Sequence, residues 1–176
     1  MKKTGILLVS LLLLVGILFG GCGKKQDPDV PSGMQLASSD EADYLFYVPE
    51  NWRVDKSSLY TSAYYSSGDA TSVSATAFGM NLDDTTVSDW WEGYTEQFES
   101  IYDSMEVTVE EETTLGGADA IKYTFNAVLN EKEYQYIIVA ALRKNYIYYV
   151  TYTSTPEYYE DHLSDLDLVL ENFSFK

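Results

Sequence analysis

Ile6 to Phe19 is an almost unbroken run of Leu, Ile, Val and Gly behind the positive start Met1-Lys2-Lys3. A charged start, an apolar run of about 7–15 residues and small residues after it define a secretory signal over residues 1–21. A transmembrane helix needs about 20 apolar residues, and this run is shorter. Residues 22–42 then lose any apolar period and hold Lys24, Lys25, Pro28, Pro31 and Gly33 among Ser and Asp. That pattern predicts a flexible tether.

From Asp43 to Lys176 the pattern switches between strand and helix periods and predicts one folded domain. Tyr44 to Val48 reads as a strand stopped by Pro49, with a turn through Trp52. Leu59–Ser66 and Ala70–Met80 flank the turn residues Ser67-Gly68-Asp69 and predict a hairpin. Val87, Trp91, Tyr94, Phe98, Ile101 and Tyr102 then recur at helical spacing. Asp89, Glu92, Glu96, Glu99 and Asp103 occupy the opposed arc, which reads as a solvated face. Thr86 and Asp89 resemble a capping box, which starts the helix near Val87. Trp90 sits at the edge of the apolar arc and is the better single candidate for exposure, with helix packing accounting for it equally well.

Strand patterns follow over Met105–Thr113, Ala118–Leu129, Glu133–Arg143 and Tyr146–Thr153, parted by Gly116-Gly117, Asn130-Glu131 and Lys144-Asn145. The last two are apolar on both sides, as expected of central strands covered twice. Pro156 suits the first turn of a final helix. That helix gathers Tyr158, Tyr159, Leu163, Leu166, Val169, Leu170 and Phe173 on one face, and Phe173–Phe175 predicts a short edge strand. The class is therefore α+β, an antiparallel sheet flanked by helices.

Composition narrows the function. Apolar residues are 45% of the chain and aromatics 15%, so the domain has material for a packed core. A net charge of −17 argues against nucleic-acid binding, which needs a basic footprint. One Cys excludes a disulfide scaffold and a multi-cysteine zinc site.

That cysteine is placed tellingly. Leu18-Phe19-Gly20-Gly21-Cys22 resembles the lipobox of bacterial lipoproteins, Phe19 replacing the usual aliphatic residue. The resemblance implies cleavage before Cys22 and a diacylglyceryl thioether on its sulfur. Two acyl chains hold a protein stably at a membrane where one is marginal. Removing residues 1–21 also removes Lys2 and Lys3, taking the formal charge from −17 to −19.

A second resemblance covers Asp43 to Phe175. Phe46-x-Val48-Pro49-x-x-Trp52, the single mid-chain helix and the closing helix into Asn172-Phe173-Ser174-Phe175 look like PsbP-like proteins. This implies a PsbP-like α/β/α sandwich around an antiparallel sheet. Lipid-anchored bacterial members exist, and the photosynthetic members are extrinsic subunits of a membrane complex. The shared residues are packing and turn residues, so no functional residue carries over.

Candidate chemistry is sparse, and the sequence points to no catalytic residue, cofactor or metal ligand. His162, the sole histidine, falls on the apolar face of the last helix and reads as a hydrogen-bonded core residue rather than a catalytic base. No Gly-x-Ser-x-Gly, His-Glu-x-x-His, phosphate-loop or dinucleotide motif occurs. Asn81-Leu82-Asp83-Asp84 lacks calcium-loop spacing and reads as turn chemistry at a helix start. Glu110-Glu111-Glu112 reads as a solvated strand end. Tyr60, Tyr64, Tyr65, Tyr134, Tyr136, Tyr146, Tyr148, Tyr149 and Tyr152 suit strand packing first and a recognition surface second.

The expected function is a non-enzymatic binding or accessory module for an envelope protein complex. The expected site is the extracytoplasmic face of the cell membrane, held there by the lipid on Cys22. Capture of a small molecule or cation, and an acid-residue envelope hydrolase, are the alternatives.

Overall fold

The computed structural model describes residues 29–55, 61–80, 86–98 and 100–176. The lipid-attachment candidate Cys22 and the loop Asn81–Asp84 lie outside them.

A seven-stranded antiparallel sheet forms the body. In chain order its strands are β4 (Arg53–Asp55), β5 (Thr61–Tyr64), β6 (Ser72–Gly79), β7 (Ser104–Leu115), β8 (Ala118–Leu129), β9 (Lys132–Arg143) and β10 (Tyr146–Ser154). Across the sheet they run β4-β5-β6-β10-β9-β8-β7. Three small strands precede the body: β1 (Met34–Leu36), β2 (Tyr44–Leu45) and β3 (Tyr47–Pro49). The helix α1 (Val87–Phe98) lies between β6 and β7, and α2 (Leu163–Glu171) leads into β11 (Ser174–Phe175).

Local chemistry accounts for the joints. Trp52 closes the expected turn by donating its amide to the Pro49 carbonyl at 3.0 Å. Gly116 and Gly117 take φ of +57° and +81° between β7 and β8. At Gly116 a Cβ would also stand 2.9 Å from the Phe175 ring, so glycine is required twice over there. The Thr86 hydroxyl accepts from the Asp89 amide at 3.1 Å, while Asp89 accepts from the Thr86 amide at 2.8 Å. That is the expected capping box.

The even and odd positions of the central strands divide the core in two. Ile137, Val139, Ala141, Tyr148, Val150 and Tyr152 point to one face, under β1–β3, α2 and β11. Tyr136, Ile138, Ala140 and Ile147 point to the other, under α1. β9 is thus covered twice, as its apolar pattern requires.

The structure departs from the sequence reading at four places. The tether does not run loose to Ala42: β1 pairs with β3 and buries Met34, so the folded part reaches back at least to that strand. Tyr44–Val48 is two short strands, since β2 pairs with β11 while β3 pairs with β1. The first helix ends at Phe98, and Ile101 falls in a turn with 55% of its surface exposed. The final helix starts later than Pro156: residues 156–159 turn, Glu160–His162 form a 3₁₀ turn, and α2 begins at Leu163.

Candidate functional site

The hairpin turn at Asp69, the turn at Trp52 and the start of α2 are far apart in sequence and meet over one end of the sheet. His162 stands at their junction, 7% exposed. Its Nε2 lies 2.7 Å from an Asp69 carboxylate oxygen and its Nδ1 lies 3.3 Å from Asp165. The same Asp165 oxygen accepts the Trp52 indole N–H at 3.0 Å. The other Asp69 oxygen accepts from the Thr71 amide at 2.9 Å and from the Thr71 hydroxyl at 2.6 Å. The Thr71 and Ser154 hydroxyl oxygens lie 2.7 Å apart and share a hydrogen bond. Tyr65 packs on the imidazole with centroids 4.2 Å apart, and Trp52 meets it edge-on at 5.7 Å.

Burial would raise the Asp69 carboxyl pKa, but the hydrogen bonds from Thr71, then those from His162, outweigh it and hold the group below its ordinary value. Burial pushes the Tyr152 hydroxyl upward. That hydroxyl donates to the Tyr159 carbonyl at 2.7 Å and so ties the sheet to the segment before α2.

Each imidazole nitrogen faces a carboxylate. A nucleophilic triad needs a hydroxyl at one ring nitrogen, and here Thr71 and Ser154 stand behind Asp69 instead. The network is a three-way clasp: β5–β6 turn, β3–β4 turn and α2. His162 is therefore the hydrogen-bonded core residue that its helical position implied. Asp69, Thr71 and Asp165 were not legible as its partners; Ser67-Gly68-Asp69 signalled only a turn.

The other candidates separate. Glu110, Glu111 and Glu112 lie exposed along β7. Trp90 is not exposed: it is 9% accessible and packs on Tyr149 at 5.1 Å and Tyr94 at 4.9 Å. β10 brings Tyr149 under the edge of the helical arc, which the helix pattern alone does not show. Among the tyrosines, Tyr136, Tyr148 and Tyr152 are buried while Tyr64 and Tyr146 are exposed. Tyr148 hydrogen-bonds Asp43, and burial followed by that carboxylate pushes its hydroxyl up to about 12.

Surface clefts among the described residues include ones of about 480, 430 and 490 Å³. None is lined by Asp69, His162 or Asp165. Among the described residues no three His, Cys, Asp or Glu side chains group as metal ligands. No helix among those residues is long and apolar enough to cross a membrane.

No family model and no curated protein matches the sequence. The fold does match solved structures. LpqN of Mycobacterium tuberculosis, described as involved in cell envelope biogenesis, superposes with a TM-score of 0.62 at 12% identity, over 76% of this chain and 83% of that one. Cyanobacterial PsbP (CyanoP) from Synechocystis gives 0.59 at 13%, over 82% and 93%. A Pseudomonas aeruginosa protein of unknown function gives 0.51 at 14%, over 79% and 94%. The architecture is PsbP-like, as the Phe46–Trp52 pattern implied.

Proposed function

We propose that this protein is a non-enzymatic accessory module of the cell envelope, carried on the extracytoplasmic face of the membrane by a lipid on Cys22. The observation that carries the reading is the closed hydrogen bonding of its buried ionisable cluster. Asp69, His162 and Asp165 satisfy one another and the turns around them, which leaves neither imidazole nitrogen for a substrate. A residue set spent on holding turns together is what a scaffold needs. The likeness to an envelope-biogenesis protein and to PsbP supports the same reading. So does a −17 charge, which disfavours contact with anionic headgroups other than through an anchor.

Affinity capture from detergent-solubilised native membranes tests it, with the tagged full chain as bait and Cys22→Ala as control. A stoichiometric envelope protein is expected with the wild type. The Cys22→Ala variant should carry no lipid yet still capture that protein. Turnover of an envelope substrate, abolished by a single carboxylate substitution, would overturn the reading.

A further inference from the structure

β7 is the one long strand at an edge of the sheet, with 12 residues against three in β4 at the other edge. At about 3.4 Å per residue it runs about 40 Å. Among the described residues nothing pairs with its outer side. Every position from Glu106 to Thr114 is exposed. Natural edges of this length are blunted by charge, bulges or cover, because their free N–H and C=O groups recruit other strands. Here a bulge interrupts the register between Val107 and Val109, but from Val109 to Leu115 the pairing with β8 is unbroken. Val107 and Val109 are 43% and 41% exposed.

We propose that the outer edge of β7 takes up a cationic extended segment of an envelope protein as an eighth strand. The inference rests on the accessory reading and names the chemistry of the partner. Charge selects the occupant. Glu110 and Glu112 are registered opposite Tyr123 and Ile121, on the face that carries α1. Glu111 lies on the other face, where Lys122 already pairs with it. A second copy added antiparallel here would face glutamate-rich strand with glutamate-rich strand, which is unfavourable. A segment alternating Lys or Arg with Val or Thr places its cations beside Glu110 and Glu112. Its β-branched residues then lie beside Val109 and Thr113.

A cleft of about 430 Å³ adjoins this stretch between the first turn of α1 and β7–β8, lined by Glu112, Asp119, Thr86, Ser88 and Thr113. It offers the Glu112 and Asp119 carboxylates to a long cationic side chain. Near it the buried Tyr123 hydroxyl lies close to Ser88 and Glu110 without a hydrogen bond of ordinary geometry.

The test titrates the full chain in detergent with the peptide Lys-Val-Lys-Thr-Lys-Val-Lys, following amide hydrogen exchange. Protection should appear along Val109 to Thr114. The double variant Glu110→Lys/Glu112→Lys, both exposed, should bind about tenfold more weakly. Equal binding by wild type and variant, or protection confined to other strands, overturns the inference. A native partner captured equally by both proteins also overturns it and leaves the accessory reading standing. Failure of the wild type to capture any partner removes that reading alone, since the peptide titration still decides the edge.

Discussion

On the face under α1, rings fill the space: Trp91 lies flat on Tyr123 at 4.0 Å and 6°, and Phe125 lies on Tyr136 at 4.7 Å and 6°. On the opposite face the same sheet is closed by directed bonds, from Trp52 through Asp165 and His162 to Asp69 and Thr71. The first face is covered by a helix nearer in sequence to the strands beneath it, with Trp91 stacked on Tyr123 of β8. The second is covered by turns and a helix 93 and 113 residues away from their hydrogen-bond partners. Stacked rings tolerate small slides, so they suit a cover delivered locally. A cover assembled from distant segments needs bonds that accept only one arrangement, and a buried polar network supplies that at the cost of desolvating it.

The difference is best broken from its heavier side. Trp91→Ala should lower unfolding free energy by about 3–5 kcal/mol in urea denaturation, because its ring leaves a void between α1 and β8. It should leave the acid response described next unchanged. A loss under 1 kcal/mol would mean that α1 contributes little to that face.

Asp69→Asn should cost about 1–3 kcal/mol by leaving the imidazole and Thr71 poorly matched. Its pH dependence carries a sign. The folded Asp69 carboxyl sits below its ordinary value of 3.8, so the unfolded chain binds the proton first as acid is added. The stabilisation is therefore complete above about pH 4 and is lost as the pH falls through the lower folded value. The wild type should show a steeper acid limb than the Asn variant in a series of thermal melts. Identical limbs would place the acid sensitivity elsewhere.

Thr86→Ala gives the smallest effect, about 1 kcal/mol from the lost cap of α1. It sharpens the comparison because only the aromatic face should loosen. Hydrogen exchange should quicken in the first turn of α1 and not around His162.

Much of the fold was legible because its long elements obey simple periods. Ile121, Tyr123 and Phe125 alternate with Lys122, Thr124 and Asn126, and β8 forms as that alternation implies. Thr86 and Asp89 announce α1 by local hydrogen bonding alone. Met34 could not announce β1, since three residues in a polar stretch become a strand only when β3 lies beside them. Trp90 misled for a similar reason: the helix pattern contains no information about Tyr149. His162 was readable as a core residue, but its partners were not, because no local rule links a turn aspartate to a helix start 93 residues on.

The small strand pair β2–β11 bears on how the molecule is made. The Lys176 ammonium reaches back to the Ala42 carbonyl at 2.6 Å, across 134 residues of chain. During synthesis the segment around Tyr44 is among the earliest of the domain to emerge, yet its partner Phe175 is among the latest. That pairing must wait for β11, whereas α1 and β7–β9 find their partners nearer in sequence and can close earlier. A product cut short ahead of residues 173–176 lacks the pairing of β11 with β2.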